Sequence, residues 1–397
     1  MAPSIPALVQ PAVLRWARES VGLIPVAAAR KIGVPDDRVQ QWESGDARPT
    51  IVQLRSAAAA YKRPMAVFFL PEPPVAFDAM RDFRRHPDAG AGQWSPELHG
   101  EYRRALRQRD NAIELAELDE DPPSTLWRVP GQSDDETLAA AARQVLLDAG
   151  PLKLPAGSPG RYDHLNLWVA ALEEAGVLVL TTSGGAVTTG EMRAFSLYFD
   201  TVPVIVVNGR DTPRGRLFSL LHEYAHLLLH TSGLCDTVTD QHALTPDRAL
   251  EERCNAIAAA VLMPGQAVLS SAAVQTRAQT PDSWTYDALR SAAAPFGVSV
   301  EALLRRLVTL RRVDAAFYRA RREEYLTAYE TDEGRSSNTG GNWYFTTARD
   351  TGKGYVRRVT DAHRRRVIDS YTAASFLDVK VGQIARLADA AALQARV

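Results

Sequence analysis

Two histidines four residues apart in an apolar stretch constrain this chain most. The stretch reads Leu217-Phe-Ser-Leu-Leu-His222-Glu223-Tyr-Ala-His226-Leu-Leu-Leu-His230. On a helix, residues four apart share one face, so His222 and His226 can offer their imidazoles to one metal ion. Glu223 lies beside them, placed to accept a proton from water at that metal. Since a buried helix normally avoids unpaired His and Glu, the pattern predicts a metal site. The alternative is a core helix whose histidines hydrogen-bond to backbone.

A third ligand is expected downstream, because catalytic zinc sites usually use three protein ligands and leave one position open. The segment from Leu250 to Met263 reads as a second apolar helix with acids in its first turn. Glu251 shares a helix face with Asn255, whereas Glu252 lies about 100° round the axis. We therefore predict Glu251 as the third ligand and keep Glu252 in reserve. The alternative for either acid is a solvated first-turn residue that favours the helix dipole.

Taken together, these segments resemble the ImmA/IrrE family of metallopeptidases. The likeness rests on His222-Glu-Tyr-Ala-His226, on Glu251-x-x-x-Asn255 and on Leu262-Met263-Pro264. The resemblance implies a zincin-type site in which His222, His226 and Glu251 hold Zn²⁺ and Glu223 is the catalytic base; another divalent metal such as Mn²⁺ also suits these ligands. It further implies an intracellular endopeptidase that cleaves a repressor-type transcription regulator in a stress or mobile-element response. Cys254 and Ile257 depart from the Ala and Phe usual in the family, and we expect Cys254 to serve as small-residue packing.

Residues 11–74 predict four short helices separated by Gly and Pro turns. A short helix, the Gly33 turn and a second short helix with inward Val39 and Trp42 are typical of a helix-turn-helix. The segment resembles the XRE-type helix-turn-helix fused ahead of ImmA/IrrE peptidases. The likeness is carried by Trp42-Glu-Ser-Gly45, by Arg48-Pro49-Thr50 and by the run from Tyr61 to Pro71.

We expect this domain to contact DNA through Arg38, Gln40 and Gln41 of its recognition helix. Asp36 and Asp37 are predicted to cap that helix. Two acids within this helix, Asp37 and Glu43, would compete with these three side chains at the DNA surface. The net charge of residues 11–74 is only +3. The alternative is a helix-turn-helix kept for protein contacts or dimerisation.

The predicted domains are the helix-turn-helix at 11–74, a linker with connecting helices at 75–160, a zincin-like metallopeptidase at 161–330 and a basic helical unit at 342–397. Within the linker, Glu97 to Leu118 is expected to form an exposed helix, because its acids and bases alternate at helical spacing. Residues 343–397 carry a net charge of +5 and predict two or three helices. That unit could touch nucleic acid, a partner or the peptidase itself. No internal repeat is evident.

The fold class predicted is therefore multidomain and mainly α, with an α+β zincin-like core and all-α terminal units. The net charge of -1 over 397 residues gives no global signature of nucleic-acid binding. Two cysteines, the absence of a signal-peptide pattern and the lack of a long apolar run favour a cytoplasmic protein without membrane contact.

Two other functions fit the same residues. One is a DNA-binding regulator whose metal domain senses a ligand and cuts nothing. The other is an antitoxin-like protein that binds a partner. A homodimer is left open in each case.

Overall fold

The computed structural model describes residues 6–73, 94–129, 134–149, 160, 162–182, 184–231, 234–235, 246–275, 284–322, 325 and 342–392. The chain divides into two compact units, Met1–Arg104 and Ala105–Val397. The predicted domain boundaries at 74, 160 and 330 fall on or beside residues outside the described set and stay predictions. Within that set, no helix is both long and apolar enough to cross a bilayer.

The first unit is built from short helices, two of which begin at a proline and two of which end at a left-handed glycine. They are α1 Pro11–Glu19, α2 Pro25–Ile32, α3 Arg38–Ser44 and α4 Ile51–Ala60, followed by a 3₁₀ turn, Met65–Phe69. Gly33 ends α2 at φ 83° and Gly45 ends α3 at φ 88°, a region that glycine enters without strain. Val39 and Trp42 are buried at 1% and 2% exposure, which confirms that they belong to the core.

The predicted capping of α3 by Asp36 and Asp37 is wrong. No side chain caps this helix. Asp36 pairs with Arg30 at 3.2 Å, and the Asp37 carboxylate accepts a 2.8 Å hydrogen bond from Gln41 Nε2. Helix α4, in contrast, has a complete capping box between Thr50 and Gln53.

The connecting helix α5, Pro96–Leu118, carries more apolar surface inward than its charge pattern indicates. Leu98, Ala105 and Ala112 are at most 2% exposed, and Leu115 is 4% exposed. The prediction of an exposed helix is therefore wrong. Its charged residues cover one face only, and the small and aliphatic residues between them pack on the other.

A small mixed sheet and four helices form the α+β core. The strands are β1 Leu178–Thr181, β2 Ala194–Leu197, β3 Val204–Val207 and β4 Leu234–Cys235, in the order β1-β3-β2-β4. β1 runs parallel to β3, whereas β2 is antiparallel to both β3 and β4. The helices are α6 Asp135–Asp148, α7 Asp163–Glu174, α8 Pro213–Leu228 and α9 Pro246–Leu262. α8 packs on β2 and β3, and α9 packs on α8 and α6.

The described chain continues as helices. They are α10 Gly265–Ser270, α11 Ala272–Gln275, α12 Tyr286–Ala293, a 3₁₀ turn Ala294–Phe296 and α13 Val300–Thr309, with helical backbone again at 315–322. The C-terminal unit then holds α14 Trp343–Thr351, α15 Lys353–Arg364, α16 Ser370–Leu377, a 3₁₀ turn Val381–Gln383 and α17 Ile384–Ala392. The predicted two or three helices are thus too few for this unit, which has four.

The C-terminal unit packs on the α+β core, which is one of the three possibilities raised by its sequence. Gly352 lies against β1, where an added Cβ would come within 2.6 Å of the Val179 carbonyl oxygen. The buried Glu173 carboxylate at the end of α7 accepts hydrogen bonds from Gly354 N at 2.9 Å and from Arg357 at 3.2 Å. Overall, the predicted fold class is confirmed.

Candidate functional site

The two predicted histidine ligands lie on a helix that is buried almost all round. α8 starts at Pro213 behind the N-cap Thr212, whose hydroxyl accepts a hydrogen bond from Gly215 N at 3.0 Å. His222 and His226 are each 2% exposed, and Glu223 is fully buried. Burial of three such groups on one helix is costly unless they are satisfied by one another or by a ligand.

The structure brings His222 and His226 together with Glu251. Their Nε2 atoms are 3.1 Å apart. Glu251 Oε2 is 3.1 Å from His222 Nε2, and Oε1 is 3.2 Å from His226 Nε2. Neighbouring ligands of a tetrahedral zinc with 2.0–2.1 Å bonds are about 3.3 Å apart, so the spacing of these donor atoms fits such an ion.

The outer nitrogens of both imidazoles are held by acceptors. His222 Nδ1 lies 3.1 Å from Asn255 Oδ1. His226 Nδ1 lies 3.2 Å from Thr231 Oγ1, whose own proton is donated to the His226 carbonyl at 3.1 Å. Each Nδ1 therefore carries a hydrogen, and in the neutral ring each Nε2 turns a lone pair towards the other and towards Glu251. Two lone pairs and a carboxylate facing one point suit a divalent cation.

Glu251 and Glu252 occupy different environments. The Glu252 side chain is 66% exposed and pairs with Arg248 at 2.9 Å. Burial acts to raise the pKa of Glu251, but without a metal the imidazoles of His222 and His226, when protonated, donate hydrogen bonds and positive charge to this carboxylate and hold its pKa well below the ordinary value. Glu251 is thus kept anionic, as a metal ligand must be. Because α9 begins at Pro246, the acids lie in its second turn, and the prediction of a first-turn position is wrong.

The Glu223 carboxylate is held on one side only. Its Oε2 accepts a 2.6 Å hydrogen bond from Ser196 Oγ on β2, and Ser196 is fully buried. Its Oε1 is buried and has no hydrogen-bond partner. An orphaned carboxylate oxygen beside converging donor atoms is expected where a water or substrate atom binds.

The sequence pattern did not predict a role for Ser196 or Thr231. It identified Asn255 only as a residue on the same helix face as Glu251. Cys254 is fully buried in the core around α9, in agreement with the expected packing role. His230 is exposed at the end of α8, where its Nδ1 lies 3.0 Å from the Tyr198 hydroxyl and its ring stacks on that tyrosine.

In the first unit, α3 offers a smaller polar surface than the sequence indicates. Gln40 is exposed, whereas Arg38 and Gln41 are half-buried, and Gln41 is engaged by Asp37. Glu43 turns inward at 6% exposure, and its carboxylate accepts hydrogen bonds from Arg18 at 2.7 and 2.8 Å. The prediction that Glu43 competes for DNA is therefore wrong, since its charge is compensated inside the domain.

Two parts of the chain match models of known protein families. Residues 172–308, which contain all the donor residues above, match the peptidase M78 family model, described as the IrrE N-terminal-like domain. Residues 14–68 match a helix-turn-helix model. The chain joins a helix-turn-helix, which supports DNA binding, to a domain similar to the IrrE N-terminal-like peptidase domain. A comparison with curated proteins returns no match. The resemblance drawn from the sequence is confirmed, and the IrrE-like domain supports a metallopeptidase that acts on a protein substrate.

Proposed function

We propose that the IrrE-like domain is a zinc-dependent endopeptidase. His222, His226 and Glu251 would hold the metal, and Glu223 would be the catalytic base. The observation that carries this proposal is the convergence of three donor side chains within 4.8 Å of one another, directly beside a buried carboxylate oxygen without a partner. Zn²⁺ suits the His₂Glu set best, and Mn²⁺ is the second choice.

When bound, zinc would supply a Lewis acid that polarises the scissile carbonyl and makes water at the site more acidic. The protein's own residues do the rest. Glu223 Oε1 accepts the proton of the attacking water and passes it to the departing amide nitrogen. Ser196 holds Oε2, so that only Oε1 is free for this transfer. Asn255 and Thr231 fix the two imidazoles in the orientation that ligation requires.

The substrate in this proposal is a repressor-type transcription regulator, cut in the cytoplasm in a stress or mobile-element response. Support comes from the fusion of a peptidase domain to a helix-turn-helix in one chain. Arg38, Gln40 and Gln41 would contact the operator and bring the peptidase to DNA-bound regulators. A homodimer would suit a palindromic operator.

The test compares newly formed protein N-termini in cells that express wild type or Glu223→Gln. The variant keeps the metal donors and the shape of the side chain but loses the base. We expect a cleaved DNA-binding regulator in wild-type cells only. The same set of N-termini in both strains, with zinc retained in both proteins, would overturn the peptidase proposal and favour a metal-dependent sensor. Cleavage of an unrelated protein would overturn the substrate class alone.

A further inference from the structure

The C-terminal unit repeats the helix arrangement of the N-terminal helix-turn-helix. We infer that α15–α17 form a second helix-turn-helix, and we propose that this module binds duplex DNA through α17. Helix α1 ends at Glu19 and α2 begins at Pro25; α15 ends at Arg364 and α16 begins at Ser370. Glu19 and Arg364 are 345 residues apart in the sequence, and so are Pro25 and Ser370. The third helix packs against the first in each module.

The turn between the second and third helices is the same in both modules. Gly33 after α2 and Asp378 after α16 are both left-handed, at φ 83° and 53°. The next residue donates five positions back in each case, from Val34 N to Ala29 O and from Val379 N to Ala374 O, both at 3.0 Å. This hydrogen-bond pattern fixes the angle at which the third helix leaves the second.

Six core positions also correspond at this separation of 345 residues, whereas the buried Val13 and Val21 correspond to the exposed Arg358 and Arg366. Matching buried residues occupy both modules, and the pairs are Leu14 and Val359, Ala17 and Ala362, Ala28 and Ala373, Ala29 and Ala374, Val39 and Ile384, and Trp42 and Leu387. Small alanines let the second helix approach the others closely, and a larger apolar residue on the third helix fills the space between them. Two unrelated sets of three helices are not expected to agree in burial at six positions and also to share the same turn.

One face of α17 is exposed, although α14 packs on this helix as well. Ala385, Arg386 and Asp389 are exposed, whereas Ile384, Leu387 and Ala391 face the core. The Arg386 guanidinium lies 5.9 Å from the centre of the Tyr344 ring, so the cation is held by an aromatic side chain of α14. Arg386 occupies the place of Gln41 in the first module. In a helix-turn-helix, this face of the third helix enters the major groove.

Charge favours nucleic acid as the partner of this module. Residues 353–392, which span α15–α17, have eight cations and four acids and so a net charge of +4, against +3 for residues 11–74. Lys380 at the turn and Arg386 on α17 are exposed cations, and the exposed acids of the same turn and helix are Asp378 and Asp389. Neutralising phosphates and releasing their counterions is the dominant, salt-dependent part of DNA affinity.

The experiment measures binding of the full-length chain to a random-sequence duplex DNA by fluorescence anisotropy at several salt concentrations. All proteins carry Arg38→Ala, Gln40→Ala and Gln41→Ala, so that the first module contributes little. Into this background are placed Lys380→Ala with Arg386→Ala, or the control pair Arg305→Ala with Arg312→Ala, which also removes two exposed cations but from outside the module. Circular dichroism checks the fold, and zinc content checks the peptidase site.

We expect the Lys380 and Arg386 changes to weaken binding about fivefold to a hundredfold, and to reduce the salt slope by about 1 for each cation removed from a phosphate. The control pair, Arg305→Ala with Arg312→Ala, should leave both values unchanged. Equal weakening in the two variants would show that only net charge matters and would overturn the assignment to α17. No effect of the Lys380 and Arg386 changes, or no DNA binding in the background protein, would overturn it too. These results do not depend on peptidase activity.

Discussion

Ser196 Oγ on β2 donates a 2.6 Å hydrogen bond to Glu223 Oε2 on α8, and both residues are fully buried. This contact occupies one oxygen of Glu223 and leaves the other, Oε1, buried without a hydrogen-bond partner. We expect Ser196→Ala to lower kcat about 10–100-fold, as removal of such supporting partners does at metal sites, with little change in KM. Ser196→Thr keeps a hydroxyl and should restore most of the rate. Cleavage assays on the regulator identified in cells measure both. Equal activity of Ser196→Ala and wild type would contradict an orienting role.

The acceptors behind the imidazoles should set metal affinity. We expect Asn255→Ala and Thr231→Ala each to weaken zinc binding about 10–100-fold, because the rings lose the hydrogen bond that fixes their tautomer. Competition with a chromogenic chelator measures the affinity. Thr231→Ser keeps the hydroxyl and is the matched control. A weaker affinity in Thr231→Ser than in Thr231→Ala would contradict this role of the hydroxyl.

Arg18 and Glu43 form a buried ion pair between α1 and α3, with side-chain exposures of 9% and 5%. Removing one partner leaves an uncompensated charge in the core, so Arg18→Met should destabilise the first unit by about 3–5 kcal/mol. Adding Glu43→Leu to the same chain should recover most of that stability. Urea unfolding of the full-length protein checks both variants. Arg30→Ala, which breaks an exposed pair with Asp36, should change little.

Lys353 at the start of α15 gives the C-terminal unit a pH-dependent stability. Burial lowers the pKa of its ammonium group from 10.5 to about 8, against the attraction of Glu173. Between these values the unfolded chain binds more protons than the folded chain, so stability rises with pH from about 8 towards 10. After allowance for solvent screening, the gain is on the order of 1 kcal/mol.

Lys353→Met should remove this rise and stabilise the protein at pH 7, because an uncharged side chain replaces a half-buried cation. Thermal unfolding at pH 7, 8, 9 and 10 tests it, with Lys380→Met as the exposed-lysine control. If the stability of Lys353→Met rose with pH as much as that of wild type, the rise would belong to another titrating group.

Local patterns predicted the donor residues because the helix itself sets their spacing. Positions 222 and 226 share a face on any α-helix, and Glu251 was preferred over Glu252 by the same geometry. Ser196 could not be found in this way. Its contact with Glu223 depends on how β2 packs on α8, across 27 residues of chain, and no local period reports such packing. Thr231 lies just beyond the end of α8, where it reaches back to His226.

Charge patterns were the less reliable guide. Glu43 reads as a surface acid of the recognition helix, yet it faces inward because Arg18 lies opposite in the folded domain. Helix α5 carries charges at helical spacing and still buries its other face. The second helix-turn-helix could not be predicted from sequence likeness, because Asp378 stands at the left-handed turn where Gly33 stands in the first, and the aligned positions share few identical residues.

The zinc content of the purified full-length protein decides whether His222, His226 and Glu251 form a metal centre. Wild type is compared with His226→Ala, Glu251→Ala and Glu252→Ala. The geometry predicts about one zinc per chain in wild type and in Glu252→Ala, with the metal absent from the other two, since only Glu251 lies within 3.2 Å of both imidazole nitrogens. Zinc retained in Glu251→Ala and absent from Glu252→Ala would contradict the third ligand. A wild-type protein that takes up no metal after zinc is supplied would contradict the metal centre itself.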